Sequence, residues 1–297
     1  MIMAHVGVSK TYKLYLGGKF PRSESGRTYP VTDTKGAFLA NAASASRKDA
    51  RDAVTAARKG YGAWSGATPY NRGQVIYRIA EMLEARTAEF VGLLRTTRGA
   101  TEKAAAAEVE AAVERLVHFA GWTDKLSAVF GASNPVSGPY FSYSAPEPTG
   151  VVAVVAPSDA PLLGLVAVVA PVLAGGNACV VVAAEGDPCV AITWAEVLAT
   201  SDVPAGVVNV LTGSAAELAP HLAAHADVNA LDLTGAPADL VVELERSAAQ
   251  TVKRVYRPHG VPDFAADPGT ARLRAFLEIK TVWHPVGAVS LTAGSSY

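Results

Sequence analysis

Two cysteines, six histidines and a small set of carboxylates are the residues in this 297-residue chain that could do chemistry beyond simple binding. Cys179 sits inside the run ACVVVAA and Cys189 just after it, in DPCVAI, so both belong to apolar segments where a small buried residue is expected. The histidines are His5, His118, His221, His225, His259 and His284. His221 and His225 share one face of a helix at i, i+4, but no third ligand accompanies them, so they read as exposed helix residues and no metal site is expected. The sequence contains no GxSxG elbow, no P-loop and no CxxC pair. Ser158 and Asp159, in APSDAP, have the side chains that cap helices, and the sequence predicts that one of them caps a helix opened by Pro161. No catalytic residue is assigned.

These residues are positioned by the stretch Gly150–Pro188, around which the chain is organised. Val151–Ala156 is an unbroken β-branched run, the pattern of a parallel strand covered on both faces. A helix apolar almost all round follows from Pro161 to Ala174, and Gly175-Gly176-Asn177 offers the left-handed residues that end it. Ala178–Ala184 is a second buried strand, and the three pieces form a right-handed βαβ unit. A membrane span is the alternative, since Asp159 is the one formal charge between Gly150 and Ala184. Pro157, Pro161, Pro171 and the Gly-Gly-Asn turn cut that run too short for the roughly 20 apolar residues a span requires.

Upstream, Tyr12–Phe20 alternates into a Gly-Gly pair and reads as an exposed strand entering a hairpin, with Val31–Asp33 and Phe38–Ala42 continuing the pattern. Ser46 and Asp49 then open a helix running to about Gly62, and further helices are expected over Pro69–Arg86, Ala88–Thr97 and Thr101–Leu126. Gly131–Pro148 is a protruding hairpin. Downstream, helices near Cys189–Ser201, Ser214–His225 and Ala238–Ala249 alternate with strands at Val207–Leu211, Val228–Leu233 and Val252–Tyr256, giving five parallel strands. His259–Thr270 has lost periodicity and marks a linker, Ala271–Phe276 is a short helix, and Leu277–Trp283 is a last strand expected to pair outside the main sheet.

Half the residues are hydrophobic, 18% are charged and the formal net charge is −1, so a large core is available and no nucleic-acid surface is expected. The beginning, MIMAHVGVSKTYK, lacks an apolar signal core, and two cysteines make no disulfide scaffold. A cytoplasmic protein is expected, with no membrane partner.

LYLGGKF, AASASRKDARDAVTAARKGYGAW, HFAGWTDKL, FSYSAPEPTGVVAVVAP, LAGGNACVVVAAEGDP and PAGVVNVLTG occur in order, and to about Tyr256 the chain resembles the NAD-binding portion of the aldehyde dehydrogenase superfamily. FLEIKTVWHP at Phe276–Pro285 resembles the C-terminal strand by which that family joins a neighbouring subunit's sheet. The resemblance implies an α/β fold, a parallel Rossmann-like sheet flanked by helices, with a protruding β-hairpin and a C-terminal strand for oligomerisation. It implies a NAD-binding domain over 1–258 holding an oligomerisation hairpin at 131–148, a linker and short helix at 259–276 in place of the catalytic domain, and an oligomerisation strand and tail at 277–297.

In the family a thiolate, an oxyanion-hole amide and a general-base glutamate carry aldehyde oxidation, with NAD accepting the hydride. Neither cysteine here falls at the nucleophile's place, Asp159 falls where the amide should be, and Tyr256-Arg257-Pro258-His259-Gly260 matches the segment that bears the glutamate. The ribose-binding lysine is replaced by Val182, and Ala219 and Ala236 stand where a glycine and a serine face the phosphates. Vestigial cofactor positions remain at Pro157, Ser158, Glu185, Gly213 and Gly235, so NAD binding is expected to be weak or absent. Two functions follow: a catalytically inactive structural or regulatory subunit, assembling as a homo-oligomer or with a full-length aldehyde dehydrogenase, or a NAD-binding subunit whose catalytic cysteine comes from a partner chain.

Overall fold

The computed structural model describes residues 10–286, so His5 and the tail after residue 286 lie outside the described residues. The chain opens with β1 (Thr11–Tyr12), β2 (Thr28–Thr32) and β3 (Phe38–Ala43), a small sheet of order β1-β3-β2. The Tyr12–Phe20 stretch corrects the expectation of an exposed strand: Tyr12, Leu14 and Tyr15 are buried, and Tyr15 exchanges backbone hydrogen bonds of 3.0 and 2.7 Å with Val210. Alternation marked Tyr12 and Leu14 as inward-facing; Tyr15 is buried as well because it pairs with Val210 of the main sheet, while Lys13 stays exposed.

Four helices follow, α1 (Arg47–Gly66), α2 (Pro69–Glu84), α3 (Thr87–Arg98) and α4 (Glu102–Ala120), with the short α5 (Leu126–Phe130) after them. Helix α1 begins where the sequence placed it: the Ser46 hydroxyl accepts from the amides of Lys48 and Asp49, and the Asp49 carboxylate accepts from the Ser46 amide at 2.8 Å. It runs one turn past Gly62, because Trp64 is buried and its Nε1–H donates to the Leu173 carbonyl at 3.0 Å.

The hairpin is β4 (Ala132–Asn134) and β5 (Tyr140–Pro148), and the chain then alternates β6 (Val151–Val155), α6 (Leu163–Ala174), β7 (Ala178–Val182), α7 (Pro188–Ala199), β8 (Val208–Leu211), α8 (Ala215–Ala224), β9 (Ala230–Asp232), α9 (Val241–Ala249) and β10 (Arg254–Tyr256). The five strands are parallel, in the order β10-β9-β6-β7-β8. Their side chains alternate between two cores. Val152, Val154, Cys179 and Val181 pack with α2, α3, α4, α6 and α7, whereas Val151, Val155, Val180 and Val182 pack with α1, α8 and α9. Burial of each such aliphatic side chain is worth about 1.5–3 kcal/mol, which is why both faces of these strands had to be apolar.

Helix α6 starts at Leu163, not Pro161, and neither Ser158 nor Asp159 caps it. Ala160 takes a left-handed φ of 51°, which keeps the preceding turn out of the helix. The amides of Leu162 and Leu163 are instead accepted by the Glu108 carboxylate of α4, at 2.9 and 3.3 Å. At the other end of α6, Gly176 alone of Gly175-Gly176-Asn177 has a positive φ, and Asn177 serves as a tie, accepting from the Gly150 amide at 2.8 Å and donating to the Phe276 carbonyl at 3.0 Å.

Residues 257–276 connect β10 to the final strand and include α10 (Ala271–Ala275). The last strand, β11 (Leu277–Pro285), does lie outside the five-stranded sheet, but it pairs antiparallel with β5 of its own chain along its whole length, forming a sheet of order β11-β5-β4. Its anchor is intramolecular too: Phe276 and Leu277 are buried in the main core, and Arg254 of β10 makes a two-pronged ion pair with Glu278 that holds the Glu278 carboxyl below its ordinary range.

Candidate functional site

The chain enters the five-stranded sheet at its centre with β6, builds outward through β7 and β8, then returns to add β9 and β10 on the other side. The reversal falls between β6 and β9, and in such sheets the crevice beyond the carboxyl ends at that point is where ligands bind. Pro157 and Ser158 follow β6, Glu185 follows β7, Gly213 follows β8 and Gly235 follows β9, so all five lie on this one edge. Gly235 is there for close packing: a Cβ on it would meet the Ala156 carbonyl oxygen at 2.0 Å and the Pro157 nitrogen at 2.7 Å, so the β9 turn rests directly on the β6 turn. Gly213 has φ +128°, a conformation that side chains resist.

The space around these turns is spanned by groups the sequence did not single out. The Tyr29 hydroxyl of β2 donates to the Glu185 carbonyl at 3.2 Å, and the Gly213 backbone also contacts it, while burial and the Glu185 charge push the phenol above its usual range. Arg98, the last residue of α3, donates to the Ser158 carbonyl and grips Asp187 through two nitrogens, the Nε contact being 2.8 Å. Asp187 is 2% exposed, and burial raises its carboxyl above the ordinary value despite the Arg98 partner. Glu185 and Ser158 are exposed.

On the β9–β10 side, Asp232 is fully buried at the carboxyl end of β9 and pairs with Arg272 of α10. Arg272 also donates to the Thr234 hydroxyl at 2.9 Å and lies over the Tyr256 ring at 4.4 Å. Arg115 of α4 donates to the carbonyls of Phe264 and Ala266 at 2.6 and 2.8 Å, and the Phe264 ring packs over Gly164 in the first turn of α6. Residues 257–276 are thus docked against this end of the sheet. Each of these hydrogen bonds spans at least 38 residues of sequence, and no periodic pattern marks the partners.

The chemistry available here is limited. Burial pushes the Cys179 thiol up, and pushes Cys189 up to about 11 even though the Tyr12 hydroxyl and the Lys10 ammonium favour its thiolate. Both are free and buried, on the α6–α7 side of the sheet. Asp159 is exposed, and a carboxylate there repels an oxyanion. Val182 is 0% exposed with its side chain in the α1–α8 core, and Ala219 is buried at 3%. To a dinucleotide the edge offers two exposed carboxylates, Asp159 and Glu185, and two glycine turns, with Tyr29 already between the turns of Glu185 and Gly213. That set does not fit a tightly held NAD.

Among the described residues, no group of three His, Cys, Asp or Glu is placed to hold a metal ion. His118 accepts from Trp122 Nε1–H at 3.0 Å, and His221 and His225 face a cleft between α1 and α8. No described helix is long and apolar enough to cross a membrane.

A doubly wound parallel sheet with a crevice at its topological switch defines an α/β domain of the Rossmann type. The aldehyde dehydrogenase family profile matches residues 20–262, and the chain belongs to that family of oxidoreductases. It is 32% identical over 249 residues to a putative aldehyde dehydrogenase, DhaS, of Bacillus subtilis, covering 82% of this chain and 50% of the relative. It is equally identical, 32% over 247 residues, to a mitochondrial benzaldehyde dehydrogenase of Antirrhinum majus, covering 46% of that protein. The crystal structure of HpcC from Thermus thermophilus superposes with a TM-score of 0.77 at 30% identity, over 83% of this chain and 47% of that one. A NAD+ complex of a Bacillus cereus aldehyde dehydrogenase gives 0.77 at 27% identity, over 83% and 50%. The chain therefore spans about half the length of the relatives it matches.

Proposed function

We propose that this chain is a non-catalytic member of the aldehyde dehydrogenase family that works in the cytoplasm as a structural or regulatory subunit, assembling with copies of itself or with a full-length aldehyde dehydrogenase. The observation that carries this reading is the three-stranded sheet: β11 leaves its outer edge unpaired among the described residues, and Ile279, Trp283, Tyr140 and Phe141 are each 44–57% exposed upon it. An open edge with exposed aromatics favours addition of another chain. The eroded chemistry supports the same reading, since both thiols are held protonated and no carboxylate stands at the segment 256–260. Light scattering on the intact chain, beside a chain lacking residues 278–297, tests it. A multimer that dissociates on deletion is expected; a monomeric intact chain, alone and with a full-length family member, overturns it.

One observation favours a second reading. Glu185 keeps an exposed carboxylate at the end of β7, the position that the family resemblance gives to the ribose. A NAD-binding subunit completed by a partner's cysteine would use it. The leading reading expects calorimetry to find NAD binding weaker by tenfold or more than a micromolar site, because a lost charged hydrogen bond costs roughly 1.5–3 kcal/mol. Low-micromolar affinity selects the second reading.

A further inference from the structure

Away from the strand-end crevice, a cleft of about 520 Å³ lies between the start of α1 and the end of α8, lined by Arg47, Lys48, Arg51, His221 and His225 together with small apolar residues. Five basic side chains and no carboxylate line it, in a chain whose net charge is −1. The placement runs against local helix physics. The amino end of a helix carries partial positive charge, so three cations within the first five residues of α1 are disfavoured there, and the one acidic residue of that turn, Asp49, is buried and spent on the cap. Departures from local helix rules are expected at functional or strained sites.

The neighbouring charges leave this site open to an anion. Glu24 contacts Lys48 at 3.2 Å and Asp52 contacts Arg51 at 2.8 Å, both as exposed pairs that exchange readily for another anion. Arg47 and His221 have no hydrogen bond or ion pair among the described residues. His225 Nδ1 accepts from the Asp227 amide at 3.1 Å, which in the neutral ring puts the proton on Nε2 and makes that nitrogen a donor.

We propose that this cleft binds a small molecule carrying two or more phosphate or carboxylate groups. Its volume exceeds that of a single phosphate, its forked arginines match planar or tetrahedral oxyanions, and it shares no residue with the strand-end crevice. The proposal therefore stands whichever reading of the crevice holds.

The test is a titration of the intact chain at low ionic strength with pyrophosphate and, separately, with citrate, following the ring carbon–proton resonances of His221 and His225. A saturable shift with a midpoint below ~1 mM is expected, weakened at least about tenfold in Arg47→Gln/Arg51→Gln and unchanged in Lys103→Gln on the distant α4. Saturation by pyrophosphate alone assigns a phosphorylated ligand, and by citrate alone a polycarboxylate. No saturable shift up to ~10 mM, or equal weakening by Lys103→Gln, overturns the proposal. Circular dichroism checks folding, and the single Arg47→Gln variant repeats the comparison should the double one unfold.

Discussion

The five-stranded sheet and the three-stranded arm come from the same chain and solve opposite problems. In the first, all residues of β6, β7, β8 and β9 are buried, helices cover both faces, and Tyr15 closes part of the β8 edge. In the arm, strands of up to nine residues leave aromatics in solvent on both faces: Tyr140 and Trp283 stack edge to face at 5.9 Å on one, and Phe141 and Tyr143 lie 5.7 Å apart on the other. The difference shows where apolar surface is left exposed. The sheet is satisfied by its own chain, including residues 257–276, whereas the arm exposes what a folded monomer would ordinarily cover.

The largest effect should come from the docked segment. Arg272→Ala leaves the fully buried Asp232 with the Thr234 hydroxyl and amide as its remaining partners, and removal of one member of a buried ion pair costs about 3–5 kcal/mol. Urea denaturation should show that loss with an unchanged slope. A loss below about 1 kcal/mol would mean that this end of the sheet is as unfinished as the arm. A smaller effect is expected at α1, where Ser46→Ala removes one half of the capping box and should cost about 1 kcal/mol by the same measurement. The smallest is expected in the arm: Trp283→Ser, at a residue 57% exposed, should move the stability of the dilute chain by less than about 0.5 kcal/mol while lowering self-association. A large loss of stability in dilute solution would place Trp283 with the core and erase the contrast between the two regions.

Much of the architecture was legible because its signals are local. Ser46 and Asp49 are three residues apart and form the box their spacing implies, and the runs VVAVV and ACVVV are buried strands because a strand covered on both faces has no place for polar side chains. The Gly131–Pro148 hairpin was legible from its turn residues and alternation. The cap of α6 was not, because Ser158 and Asp159 have the right side chains beside the helix while the donor pair is met by Glu108, more than 50 residues earlier. Tyr29, Arg98, Asp187, Asp232 and Arg272 were missed for the same reason: each looks like an ordinary residue until a distant element faces it.

By itself the sequence determined the βαβ core, the parallel five-stranded sheet and the start of α1, since each is written in side-chain type or in spacings shorter than a helix. Only the tertiary structure decided that residues 257–276 dock on the sheet, that β11 pairs with its own β5, and that Arg47, Lys48 and Arg51 meet His221 and His225 across a cleft. The physical reason is that contacts between residues far apart in the chain depend on how whole layers pack, and layer packing is fixed by the summed burial of two cores rather than by any one residue's neighbours.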